Sequence, residues 1–275
     1  MQRAPFQRCS LPLGERKTCL LVAFLTGLPV KSAIVTFCES NKGSPQAAEW
    51  KGSDFMQRTI SAMVGKGSVN HNSCKFKAEN VDGERTHLNI DYCNEPIKKV
   101  YHELFDEALK RYNDRQTRAD RKIENYYEKI RSSKQEKPFH ELILQIGDKE
   151  NMSAESETGK LARQILDEYY REFQERNPRL KVFLAHLHMD EATPHLHIDF
   201  VPFTTGSKRG LDTRVSLKQA LAAQGFKGGS RGDTEWNQWV QSEKEQLAAV
   251  MERHGIEWEH KGTHEKHLSV LDYKK

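Results

Sequence analysis

The sequence predicts an α+β domain: an antiparallel β-sheet with helices on its faces and a long polar helical insertion. Three observations lead there. Apolar and polar residues alternate, as in half-buried strands, at THLNIDY (86–92) and in the runs LKVFLAHLHMD and HLHIDFVP. Only EATP separates those two runs, so they are expected to pair as antiparallel neighbours. Apolar residues recur at helical spacing in the segments between and after the strands.

Taken in order, the strand at 86–92 is followed by Pro96 and then by Val100, Leu104, Ala108, Leu109 and Tyr112, a stripe that places a helix start near residue 97. Its polar continuation completes a stretch, 98–137, with 12 basic against 8 acidic residues. Tyr112, Tyr126 and Tyr127 lie among these cations. That pattern suits phosphate contact with base stacking, or simply a solvated helical face of alternating charge.

ELILQIG (141–147) reads as a buried strand ended by glycine. LARQILDEYYREF (161–173) puts Leu161, Ile165, Tyr169 and Phe173 on one helical stripe. After the paired strands come a basic loop, GSKRG, a helix in GLDTRVSLKQAL and a glycine-rich turn, FKGGSRGD. Trp236, Trp239, Val240, Leu247, Val250 and Met251 then mark an amphipathic helix closing near Gly255.

Residues 1–55 differ in character from the remainder. They carry seven basic against four acidic residues and three of the five cysteines, whereas all 12 histidines lie at or beyond His71. The apolar run TCLLVAFLTGLPV follows Arg16-Lys17 as a signal peptide would, yet no small-x-small cleavage site follows it. The segment is expected to be a non-native or disordered extension ahead of a start at Met56. Two units result: 1–55, and a functional domain over 56–275.

Over the 275 residues, 36% are hydrophobic and 30% charged, and no stretch supplies the roughly 20 consecutive apolar residues of a membrane span. Five cysteines without a CxxC pair argue against a disulfide framework or a cysteine zinc cluster and fit a reducing cytoplasm. The net charge of +4 does not by itself announce a nucleic-acid partner.

The chemistry concentrates in HLHMDEATPHLHIDFVP (186–202). Side chains two apart on a strand share a face, so His195 and His197 project together, as do His186 and His188 on the preceding strand. Three neutral imidazoles suit a divalent ion that keeps coordination positions open for substrate, and His188, His195 and His197 are the expected ligands. Asp190 and Glu191, in the connection, can ligate the ion or orient a histidine through its second N–H. Pro194 stiffens the chain just before His195.

At these residues the chain resembles the Mob/Pre family of plasmid mobilisation and recombination proteins, the MobV relaxases, whose signature is His-x-Asp-Glu-x-x-Pro-His-x-His. The paired histidines also match the HUH arrangement of single-strand endonucleases. The resemblance, which covers 56–275, implies an HUH-relaxase-like fold and nicking and strand transfer on single-stranded or supercoiled plasmid DNA at a transfer origin. It further implies Mn²⁺ or Mg²⁺ at His188, His195 and His197, with Glu191 in the catalytic set and Asp190 and His186 in support. A second matching stretch is SVNHNSCKFKAENVDGERTHLNIDY. There the resemblance implies that His71 is the nucleophile, attacking phosphorus to leave a 5′-phosphate on the protein, with Tyr92, Tyr101, Tyr112 and Tyr126 as alternatives. Asn72, Arg85, His87 and Asn89 are implied to contact DNA or brace the site.

Two departures stand out. Cys74 occupies the place of the family's arginine, replacing a charged fork suited to phosphate by a small thiol, and Ile90 stands where a tyrosine often follows. Lys208, Arg209 and Arg214 are expected to add DNA contacts. Family members are longer, so a C-terminal helical region that would support a homodimer is expected to be missing here. Two other readings use the same histidines: a zinc-type hydrolase that forms no covalent adduct, and an origin-binding remnant that no longer cuts.

Overall fold

The computed structural model describes residues 56–65 and 80–261. The expectations placed on residues 1–55 and on His71, Asn72 and Cys74 lie outside these described residues.

Five strands form the main sheet: β2 (Ile60–Val64), β3 (Ile90–Asn94), β4 (His140–Ile146), β5 (Leu180–His188) and β6 (His195–Thr204), preceded by a short β1 (Met56–Arg58). Their order is β2-β4-β6-β5-β3 and every neighbouring pair is antiparallel, so the two histidine strands lie side by side near the centre. The two-residue β7 (Arg214–Val215) pairs antiparallel with the end of β6, and β8 (Ile256–Trp258) pairs in parallel with β1. The β1–β8 pair had no sequence signal, because three-residue strands are too short to show a period.

The register separates chemistry from packing. Leu142 and Leu144 of β4 face Ile198 and Leu196 of β6, which in turn face Ala185 and Leu187 of β5. All six are fully buried, on the face covered by helices α3 (Glu157–Arg171) and α6 (Glu235–Arg253). The alternate positions carry Glu141, Gln145, His195, His197, Asp199, His186 and His188, with Ile143 opposite His197 an apolar exception among them. A one-residue slip would exchange these sets, exposing side chains whose burial is worth about 1.5–3 kcal/mol each, so the register of the histidines is fixed by the leucines and isoleucines between them.

Away from the histidines, α1 (Ile97–Asp114) and α2 (Tyr126–Arg131) build a second core. It joins Val100, Tyr101, Phe105, Tyr126 and Ile130 to Phe183 and Leu184 at the β5 bulge, and to Val201 and Val215. The polar insertion is helical in two pieces. After Asp114 the Asn113 side chain pairs with both backbone groups of Ile123, at 2.8 and 2.9 Å, turning the chain back before Asn125 caps α2. The turn α4 (Phe173–Arg176) and α5 (Leu217–Ala223) complete the layer. GLDTRVSLKQAL thus divides into β7 and α5, with Ser216 capping the helix. The strand read from Thr86 begins only at Ile90, because Thr86–Leu88 forms a 3₁₀ turn.

Candidate metal centre

His188 ends β5, His195 opens β6, and the two are cross-strand partners; His197, two residues on, lies on the same face. The three ring centroids are 5.3 Å (His188–His195), 5.2 Å (His188–His197) and 5.0 Å (His195–His197) apart, a nearly equilateral triangle. All three side chains are buried or nearly so.

Each ring is held through Nδ1 by a different acceptor. His188 Nδ1 lies 3.2 Å from Asp190 Oδ1, His195 Nδ1 donates to the Thr193 carbonyl at 2.8 Å, and His197 Nδ1 donates to Glu141 Oε1 at 2.7 Å. An N–H at Nδ1 leaves the lone pair on Nε2, the tautomer needed for ligation through Nε2. Burial, reinforced by the neighbouring His195 and His197, pushes the His188 pKa down to about 3. Burial alone would raise the Asp190 carboxyl, but hydrogen bonds from Asn89 and His188 hold it below the usual value, so it stays an acceptor.

Two rings ligating one ion through Nε2 at about 2.1 Å stand with centroids roughly 4.6–5.3 Å apart, for angles between octahedral and tetrahedral. The observed separations fall in that range and each ring uses Nδ1 toward its own acceptor, keeping Nε2 for a ligand, so the residues fit a divalent ion. Among the described residues no trio of His, Cys, Asp or Glu donors is already drawn onto one point.

Glu191 lies at the edge of the triangle, with Oε1 4.0 Å from His195 Nε2 and Oε2 accepting from Asn80 at 2.6 Å. His186 stands apart from the triad. Its ring is 6.2 Å from that of His188, and its Nε2 lies 3.6 Å from Asp91 of the edge strand β3.

Arg85 and Asn89 turn toward the β5–β6 connection. Arg85 donates to the carbonyls of Met189 (2.8 Å) and Glu191 (3.1 Å) and to Asp82 (2.9 Å). Asn89 accepts from the Met189 N–H at 2.6 Å and donates to Asp190 at 2.8 Å. Of the two roles anticipated for them, these bonds are those of a brace. His87 is exposed, with Nδ1 against the Glu84 carbonyl. Lys208 and Arg209 are exposed on the β6–β7 connection, and Arg214 is half-buried on β7.

Of the four alternative tyrosines, Tyr112 is partly buried against the second core, and the other three are held by hydrogen bonds within the fold. Tyr92 donates to Asp167 of α3, and Tyr101 donates to the Pro138 carbonyl. Tyr126 is buried and accepts from the Val215 N–H, so it cannot stack on bases as the charge pattern had allowed. Burial raises the pKa of the Tyr92, Tyr101 and Tyr126 hydroxyls, and the Asp167 hydrogen bond adds to this at Tyr92. Many cations of the insertion face acids, as in Arg111–Asp212, Arg118–Asp120 and Arg131–Glu128, in the manner of a solvated charged face.

Three contributors escaped the sequence reading: Glu141, Asn80 and the Thr193 carbonyl. Only Glu141 left a trace, as a carboxylate opening an otherwise apolar strand in phase with Gln145.

Comparison with known proteins gives one family, described as plasmid recombination enzyme, matching residues 67–275. Plasmid recombination enzyme type 2 of Staphylococcus aureus strain Mu50 is 27% identical over 228 residues, covering 80% of this chain and 44% of that protein. Type 3 from Staphylococcus aureus is 28% identical over 156 residues, 56% of this chain and 33% of that protein. The chain therefore spans a third to under half the length of these curated relatives. A solved MobM relaxase domain bound to plasmid pMV158 oriT DNA, with manganese, is 22% identical. It covers 78% of this chain and 98% of that domain, with a TM-score of 0.47.

Proposed function

The chain belongs to the Mob/Pre family of plasmid recombination enzymes, and from that premise we propose that it is a relaxase, nicking and rejoining one strand of plasmid DNA at a transfer origin in the cytoplasm. The observation that carries this reading is the triangle of three buried histidines, each fixed through Nδ1 by its own acceptor. His188, His195 and His197 would hold Mn²⁺ or Mg²⁺, which when bound supplies positive charge to polarise the scissile phosphate.

The protein groups divide the remaining work. Asp190 and the Thr193 carbonyl fix tautomer and ring direction at His188 and His195, so these ligands are preorganised before substrate arrives. Glu191, held by Asn80 beside His195, is placed to take up a proton at Oε1. His71, outside the described residues, is assigned as nucleophile from the resemblance. Its ring nitrogen forms the bond to phosphorus as the 3′ oxygen leaves and gains a proton, giving a phosphoramidate and a free 3′-hydroxyl; the reverse step rejoins the strand. Asn72, His87, Lys208, Arg209 and Arg214 are proposed DNA contacts. A homodimer through a region beyond this chain rests on the resemblance alone. Among the described residues no helix is long and apolar enough to cross a membrane.

The test is a nicking assay on supercoiled plasmid carrying the origin, with Mn²⁺ or EDTA, comparing the parent with His71→Ala. The expected product carries acid-labile protein on its 5′ end and is lost in EDTA and in the variant. Nicking without an adduct would instead identify a hydrolase, and origin binding without nicking a remnant.

A further inference from the structure

We infer that Glu141 is a positioning residue for His197 and that Gly65, on the neighbouring strand, keeps open the space its carboxylate occupies. The inference rests on the functional reading only in taking His197 as one of the ion's ligands. Glu141 is 3% exposed, on β4 between β2 and β6. It lies directly opposite Asp199 and reaches along the strand to His197, whose Nδ1–H it accepts at 2.7 Å. A carboxylate sunk this deep into a sheet is retained only where a specific donor compensates its lost hydration, and the imidazole N–H is such a donor.

Gly65 follows β2 and donates its backbone N–H to the Glu141 carbonyl at 3.3 Å, continuing the ladder. A Cβ built on Gly65 would fall onto the Glu141 carboxyl group and its Cγ. Its backbone does not adopt a positive φ, so glycine is needed there for space and not for a turn. The obstructing group is the far end of a flexible side chain. Alanine at this position is therefore accommodated by pushing the carboxylate away from His197, with no ionisable group removed.

The experiment uses the full chain as parent, Glu141→Ala, Gly65→Ala and the double variant. Ring-nitrogen NMR of the metal-free protein reads the His197 tautomer, and calorimetry with Mn²⁺ reads affinity. The parent is expected to hold His197 as the Nδ1–H tautomer. Glu141→Ala should lose that preference and bind Mn²⁺ about 10- to 100-fold more weakly, the range for removal of a carboxylate behind a ligating histidine. Gly65→Ala should move both readouts the same way by less, and should have no further effect once Glu141 is alanine. An unchanged tautomer with Mn²⁺ affinity within twofold in Glu141→Ala would overturn the assignment, as would an undiminished Gly65→Ala effect in the double variant. If Glu141→Ala fails to fold, Gly65→Ala carries both readouts, since all charged groups remain. A parent that binds no Mn²⁺ would sink the functional reading, while the ring-nitrogen spectra would still decide this one.

Discussion

Removing the Arg85 guanidinium should loosen the connection that carries Asp190 and Glu191. The side chain is 18% exposed and donates to two backbone carbonyls, those of Met189 and Glu191. A hydrogen bond from a charged donor contributes about 1.5–3 kcal/mol, so two give roughly 3–6, and partial access by water reduces this to about 2–4 kcal/mol for Arg85→Ala. Asp82 lies at the surface and is left out of that sum. Arg85→Lys keeps the charge but replaces a fork that holds both carbonyls through Nη1 and Asp82 through Nε by a single point donor that cannot serve all three, so about half the loss should remain. Urea unfolding at constant m-value measures the effect, and nicking rate should fall with it because Glu191 loses its anchor. A change below about 0.5 kcal/mol in Arg85→Ala, or a lysine variant as stable as the parent, would refute the clamp.

Glu243→Ala should destabilise by about 3–5 kcal/mol in thermal or urea unfolding, because the buried carboxylate accepts from Tyr169, Arg176 and Asn177 and its removal strands the buried Tyr169 hydroxyl and takes the charge partner from Arg176. His140 is packed near the rings of Phe200 and Trp236, and burial lowers its pKa to about 4. The unfolded chain therefore binds more protons between about pH 6.5 and 4. Stability present above pH 6.5 is lost as pH falls through 4, by up to about 3 kcal/mol, and His140→Phe should flatten that part of a stability–pH curve relative to the parent. Tyr92→Phe, Tyr101→Phe, Tyr112→Phe and Tyr126→Phe should each retain the covalent DNA adduct on a denaturing gel; loss of the adduct in any one would reassign the nucleophile.

The elements with a clean period were legible in the sequence. The alternation of His195-Leu196-His197-Ile198 fixed both the strand and the face on which the histidines meet, and the Trp236–Met251 stripe gave a helix observed at Glu235–Arg253. What escaped depends on side chains bonding to distant backbone. THLNIDY alternates like a strand from Thr86, yet Arg85 and Asn89 draw its first residues into a turn against residues 189–191. The charge excess at 98–137 is plain in the sequence, but composition cannot show that Tyr126 faces inward or that Arg111 meets Asp212. Glu141 was invisible as a partner of His197 because 56 residues separate them.

The brace between residues 80–89 and the histidine connection has a consequence for biosynthesis. Asn89 and Met189, which it joins, are 100 residues apart. The edge strand β3 leaves the ribosome long before β5, its only partner strand among the described residues. Contacts of such long range form late, after the entropy of closing the intervening loop has been overcome. A nascent chain therefore carries residues 80–94 before the strands they brace exist, and the histidine triangle assembles only once β6 is made. The same delay leaves β3 as an open edge during translation, exposed to pairing with a wrong neighbour until β5 is made.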